Sequence, residues 1–129
     1  NTSFFVDCII GNKKFKKKKC RKFPGFFLEN CFGYEQVRVK KIIKDELRPT
    51  FVCEIDKSFQ IKNYEGHNRA KASIIEACIL ASRVHLLDKK KILNELNYLS
   101  ISVEKTAGSL EKKSWKKILK FINEKTDEK

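Results

Sequence analysis

The stretch from Asn68 to Leu87, NRAKASIIEACILASRVHLL, limits what this chain can fold into more than any other segment. Its apolar residues recur at helical spacing. Ala70, Ile74, Ala77, Cys78, Ala81 and Val84 form one stripe, and Ile75, Ile79 and Leu86 widen it. A helix on a protein surface shows an apolar stripe of roughly 100°. The wider stripe predicts a helix packed on more than one side, between two layers or at a subunit interface. Its few charges, Arg69, Lys71, Glu76 and Arg83, then matter, because a buried charge is costly unless it is paired.

Two more helices are expected after it. Asp88 is placed to cap a helix in which Ile92, Leu96, Leu99 and Val103 repeat at helical spacing. Gly108-Ser109 breaks the chain. The last helix carries Trp115, Ile118, Leu119 and Ile122 on one face, with Lys112, Lys113, Lys116, Lys117 and Lys120 mostly on the other. Beyond Asn123 the tail is expected to fray.

Residues before His67 read as strands. SFFVDCII is a nearly continuous apolar run closed by the turn pair Gly11-Asn12, and Pro24-Gly25 and Gly33 bracket FFLENCF. EQVRVKKII alternates, with Val37 and Val39 on one face and Arg38 and Lys40 on the other. Asp45 to Pro49 reads as a turn. FVCEIDKSFQI alternates again, Phe51, Cys53 and Ile55 inward and Glu54 and Asp56 outward, as one long strand or two with a bulge near Lys57-Ser58. Strands first and helices afterwards give an α+β class: an antiparallel β-sheet over residues 1–66 followed by a three-helix segment over 67–129, in one folded unit.

Composition narrows the setting. A chain of 129 residues with 41% apolar residues and ten Phe has the material for one folded domain. No charge-free apolar run approaches the length of a membrane span, and the start, NTSFFVDCII, lacks a signal-peptide pattern. The five cysteines, Cys8, Cys20, Cys31, Cys53 and Cys78, are odd in number and form no CxxC pair, which favours free thiols in a reducing cytoplasm. With His67 and His85 alone, no zinc site is expected. The chain contains no Met, so an N-terminal segment is expected to precede it.

The formal charge is +13, about +7 of it in residues 1–66 and +6 in 67–129. Lys13 to Lys22, KKFKKKKCRK, holds eight basic residues in ten. A polyanion would bind such a run through counterion release; a solvated loop between strands would look the same. Lysines outnumber arginines 24 to 5, whereas bidentate readers of bases and phosphates favour Arg, so nucleic acid is a possible partner but not the favoured one.

Asn68-Arg69 at the start of the first long helix is the leading site candidate. A helix N-terminus attracts phosphate through its amides and dipole, and the neighbouring Arg adds a fork of donors. The alternative is structural: Asn68 caps the helix and Arg69 pairs with Glu54 or Asp56. Glu76 and Arg83 lie two turns apart and read as parts of a structural network. His85 suits a helix C-terminus, and Asp7 a strand edge. No Ser/His/Asp arrangement, glycine-rich phosphate loop or H-E-x-x-H occurs, and no catalytic residue is assigned.

Asn68-Arg69-Ala70, Ile75-Glu76-Ala77 and Ala81-Ser82-Arg83-Val84-His85-Leu86, followed by VEKTAG (Val103 to Gly108), Glu111 and Trp115, resemble the helical signature of a largely archaeal family of small FMN-binding proteins of unassigned activity. That resemblance covers the helical half well. FFVDCII is similar to one of the family's strands, and FFLENCF and FVCEIDKSFQI fit its later barrel strands more loosely. It implies a flavin-reductase-like split β-barrel, partial here over 1–66, followed by the helical part. It also implies FMN as cofactor, a homodimer, and a phosphate-binding role for Asn68 and Arg69 with Lys71 nearby. Family members carry further residues ahead of this region, with the first barrel strands and much of the flavin phosphate-binding apparatus.

Overall fold

The computed structural model describes residues 2–11, 14–64 and 66–127. Their elements run α1 (Thr2–Ile9), β1 (Lys17–Lys19), β2 (Phe26–Leu28), β3 (Gly33–Ile43), β4 (Thr50–Gln60), α2 (Arg69–Ser82), α3 (Lys89–Thr106) and α4 (Ser109–Asp127). The class is α+β, with two small antiparallel sheets followed by three C-terminal helices. The chain divides into two compact units, one of Asn1–Lys14 with Gly66–Lys129 and the other of Phe15–Glu65.

In the helical unit, α2 touches α1, α3 and α4. This accounts for part of its broad apolar surface: Ala70, Ser73, Ile74, Ala77, Cys78 and Ala81 are buried and Ile75 and Leu80 half-buried, whereas Ile79 and Leu86, expected to widen the packed stripe, are exposed. Ile92, Leu96 and Val103 of α3 and Trp115, Ile118 and Ile122 of α4 complete the core, at the positions their spacing predicts. Fully burying one such aliphatic side chain stabilises the fold by about 1.5–3 kcal/mol. Asp88 caps α3 as expected, accepting from the amides of Lys90 and Lys91.

Three expectations need correction here. First, SFFVDCII is not a strand: Thr2–Ile9 is helical. An apolar run of this length satisfies both templates. Helix wins because Thr2 and Val6, one turn apart, bury against the core, with Ile9 and Ile10 packed beside them. Gly11, at φ +92°, then turns the chain in a conformation that suits glycine, and Asn12 of the expected turn pair lies outside the described residues. Second, α2 stops at Ser82 rather than continuing to Leu86. Arg83 leaves helical geometry, and turns closed on Leu80, Ala81 and Arg83 carry the chain to Asp88. Third, the tail does not fray at Asn123. Helix α4 continues to Asp127, with Thr126 buried and bonded to Ile122 and Asn123, and Lys89 paired to Asp127 at 2.7 Å.

The β unit is two hairpins. β1 pairs with β2, and β3 with β4, both antiparallel. Rings join them: Phe27 of β2 stacks on Tyr34 of β3 at 4.2 Å, and Tyr34 on Phe59 of β4 at 4.7 Å. β4 is one long strand, and the ladder shifts twice, between Gln36 and Val37 and between Val39 and Lys41. The first shift leaves Asp56 as the extra residue on β4, close to the expected irregularity; the second leaves Lys40 extra on β3. The register sets Val37 opposite Ile55, Val39 opposite Cys53 and Ile42 opposite Phe51, so one face is apolar, as the alternation predicts. That face is not inward: all six residues are exposed. A two-stranded sheet has no second layer there. The opposite face carries the pairs Arg38–Asp56 (3.3 Å) and Lys40–Glu54 (2.6 Å).

Candidate functional site

The N-terminus of α2 was the place to look for an anion, and its geometry is that of a clasp. Asn68 adopts extended geometry and its Oδ1 accepts the amide of Lys71 at 3.1 Å. Its Nδ2 donates to the Thr106 carbonyl at 3.2 Å. The Ala70 amide donates to Thr106 Oγ1 at 3.1 Å, and the Ala72 amide to the Asn68 carbonyl. Thr106 in turn donates its hydroxyl hydrogen to the Ser102 carbonyl at 2.7 Å. The first turn of α2 is thereby tied to the last turn of α3. Both polar atoms of Asn68 are engaged, Oδ1 as the helix cap and one Nδ2 hydrogen in the tie to Thr106, so Asn68 acts as a cap within the clasp. Arg69 is exposed and Lys71 half-buried. Glu54 and Asp56, the partners considered for Arg69, pair with Lys40 and Arg38 instead.

The other charged candidates are dispersed. Glu76 and Arg83 are both exposed, and neither enters an ion pair among the described residues. His85 is exposed in the turn after α2. Asp7 sits on α1 rather than a strand edge and accepts from Lys117 of α4 at 3.0 Å. Among the described residues no cluster of His, Cys, Asp or Glu could hold a metal ion, and no helix is long and apolar enough to cross a membrane.

The basic run takes a form its composition did not suggest. Lys13 lies outside the described residues, but Lys17–Lys19 is strand β1, and the turn to β2 carries Arg21 and Lys22, the latter at φ +57°. Lys18 pairs with Glu29 at 3.0 Å, and this bond holds the Glu29 carboxyl below its ordinary range. The Lys17 ammonium lies 5.0 Å from the centre of the Phe26 ring, and the Arg38 guanidinium 5.0 Å from that of Phe23.

Beside this hairpin is a cavity of about 390 Å³, lined by Cys20, Phe23, Phe27, Cys31, Tyr34 and Gln36 among others. Gln36 is 4% exposed, and its Nε2 has no hydrogen-bond partner. Burial, with the nearby Cys20 and Cys31, pushes the Tyr34 hydroxyl above its ordinary range. Sequence reasoning missed this cavity. Its walls come from residues 20–37, read separately as a loop and two strands; the one available signal was the density of rings, Phe23, Phe26, Phe27, Phe32 and Tyr34, beside the lysines.

No curated protein matches the chain. Residues 68–120, which begin at the Asn68 cap, contain the whole Asn68–Thr106 clasp and run through Trp115, match the C-terminal part of a family described as protein of unknown function (DUF447).

Proposed function

We propose that this chain is part of an FMN-binding flavoprotein of the split-barrel type. One observation carries the reading: the two sequence landmarks on which the resemblance rests, Asn68-Arg69-Ala70 and the VEKTAG segment, lie inside the matched region and meet in space at Thr106. Their spacing in this chain then has a structural consequence, since it sets Asn68 at one helix start against Thr106 at the other helix end. It also shifts the expected phosphate role. Asn68 is committed to the clasp through Oδ1 and one Nδ2 hydrogen, so the charges of Arg69 and Lys71 carry most of the expected phosphate role. When bound, the flavin would supply hydride or electron transfer, with the protein contributing placement and electrostatics. The homodimer belongs to the same proposal, supported by the exposed apolar face of β3–β4, because a two-stranded hairpin is marginal alone.

The test is an absorbance spectrum of protein purified without added cofactor, joined to a melting curve with and without FMN. Flavin bands released as FMN on denaturation, or stabilisation of about 2.7 kcal/mol at a hundredfold excess over Kd, is the expected result. R69A/K71A should weaken FMN binding, whereas N68D, which keeps a capping oxygen, should not abolish it. A colourless protein whose melting temperature ignores FMN overturns the reading.

A further inference from the structure

Strand β1 alternates, and so do its neighbours across the ladder. Lys17 stands opposite Leu28, Lys18 opposite Phe27 and Lys19 opposite Phe26. One face is occupied within the protein, with Lys18 paired to Glu29 and Phe27 stacked on Tyr34. The other presents Lys17 and Lys19, about 7 Å apart along the strand, together with Leu28 and Phe26, which is 57% exposed with the Lys17 ammonium beside its ring. Arg21 and Lys22 continue the positive charge around the turn, and both are exposed. A charged, ring-bearing strand of this kind offers cations to a phosphate backbone and a flat surface to a base. The adjoining cavity extends this surface with the rings of Phe23, Phe27 and Tyr34.

We infer that the β1–β2 hairpin binds single-stranded nucleic acid, with Lys17, Lys19, Arg21 and Lys22 on the phosphates and Phe26 stacking on a base. The inference does not rest on the flavin reading, whose candidate phosphate residues Arg69 and Lys71 lie in the helical unit. Nucleic acid is favoured over an anionic lipid surface by the exposed Phe26 ring set among the cations, a flat face on which a base stacks and a headgroup does not. Duplex is disfavoured because stacked and paired bases cannot reach the Phe26 ring.

The experiment is fluorescence anisotropy of the full chain with a labelled oligouridylate of about 20 nucleotides, longer than the site of one small module, titrated at several salt concentrations. Four phosphates neutralised on a single strand give a slope of log K against log salt near −3, and so a loss of about 50-fold between 50 and 200 mM. K17E/K19E should bind more weakly and flatten that slope by about 1.4 or more. F26A should lose about tenfold at every salt concentration with the slope unchanged, and F26Y, which keeps the ring, should retain the parent's affinity. Melting temperatures equal to the parent's establish that the variants are folded. K17E/K19E binding like the parent, F26A without effect, duplex RNA competing as well as single strand, or binding confined to phosphatidylserine vesicles would each overturn the assignment.

Discussion

Replacing Thr106 by Val tests the clasp that joins α2 to α3. Valine keeps the shape of threonine and substitutes a methyl group for Oγ1, the atom that accepts the Ala70 amide at 3.1 Å. The Ala70 side chain is fully buried, so its amide has no ready replacement among solvent molecules. Leaving a buried donor unsatisfied costs about 1–3 kcal/mol. Because this bond is only partly buried, about 1–2 kcal/mol is expected. For a unit of this size each kcal/mol moves the midpoint by roughly 4–8 °C, so T106V should melt about 4–16 °C below the parent. T106S keeps the oxygen and should stay close to the parent. The assay is urea unfolding followed by far-UV circular dichroism and by the fluorescence of Trp115, the sole tryptophan, which is buried in the same helical unit. N68A should cost about 0.5–2 kcal/mol through the lost cap. Combined with T106V it should be non-additive by about 0.5 kcal/mol or more, since both residues belong to one network. If T106V lies within about 0.3 kcal/mol of the parent, or T106S is as unstable as T106V, the clasp is not what fixes the two helices.

Two further outcomes follow from the titratable groups. Burial pushes the Cys78 thiol up to about 11, so the unfolded chain releases this proton first as pH rises, and stability should decline from about pH 9 upward; C78A should lack that part of the decline, and Ellman's reagent should modify exposed Cys8 and Cys53 well before Cys78. Asp45 is held below its ordinary value by the amides of Arg48 and Leu47, so its contribution to the β3–β4 turn is present above that value and lost as pH falls through the folded one; the Leu47 and Arg48 amide resonances should shift together with acid, and in D45A they should not.

The helical half was legible because periodicity and caps agree there. Asn68, Asp88 and the Gly108 break fix the frame, and the apolar positions of α3 and α4 fall where a 3.6-residue repeat places them. The Asp45 turn was legible for a similar local reason, a side chain bonding to the backbone just ahead of it. At Thr2–Ile9 local signals failed, since an apolar run is equally compatible with strand and helix until the partner surface is known. Alternation in β3 and β4 identified which residues share a face, but nothing local states whether a second layer covers it. The clasp at Asn68 was half visible: the cap could be read, whereas its partner Thr106 is 38 residues away in sequence and enters through tertiary packing.

The discontinuous make-up of the helical unit sets an order of events during synthesis. Helix α1 packs against α2 and α4, and α4 is completed about 120 residues after α1. At a ribosomal pace of roughly 5–20 residues per second, that is an interval of about 6–24 s. Both β-hairpins emerge within it and close locally, since hairpins form in about 1–10 μs. Val6 and its apolar neighbours can meet α2 part-way through, but lack the α4 side of their docking surface for the whole interval. In the cell, then, the vulnerable moment for this chain is the wait of its first helix for its last, and nascent-chain binding factors should compete for α1 until α4 has been made.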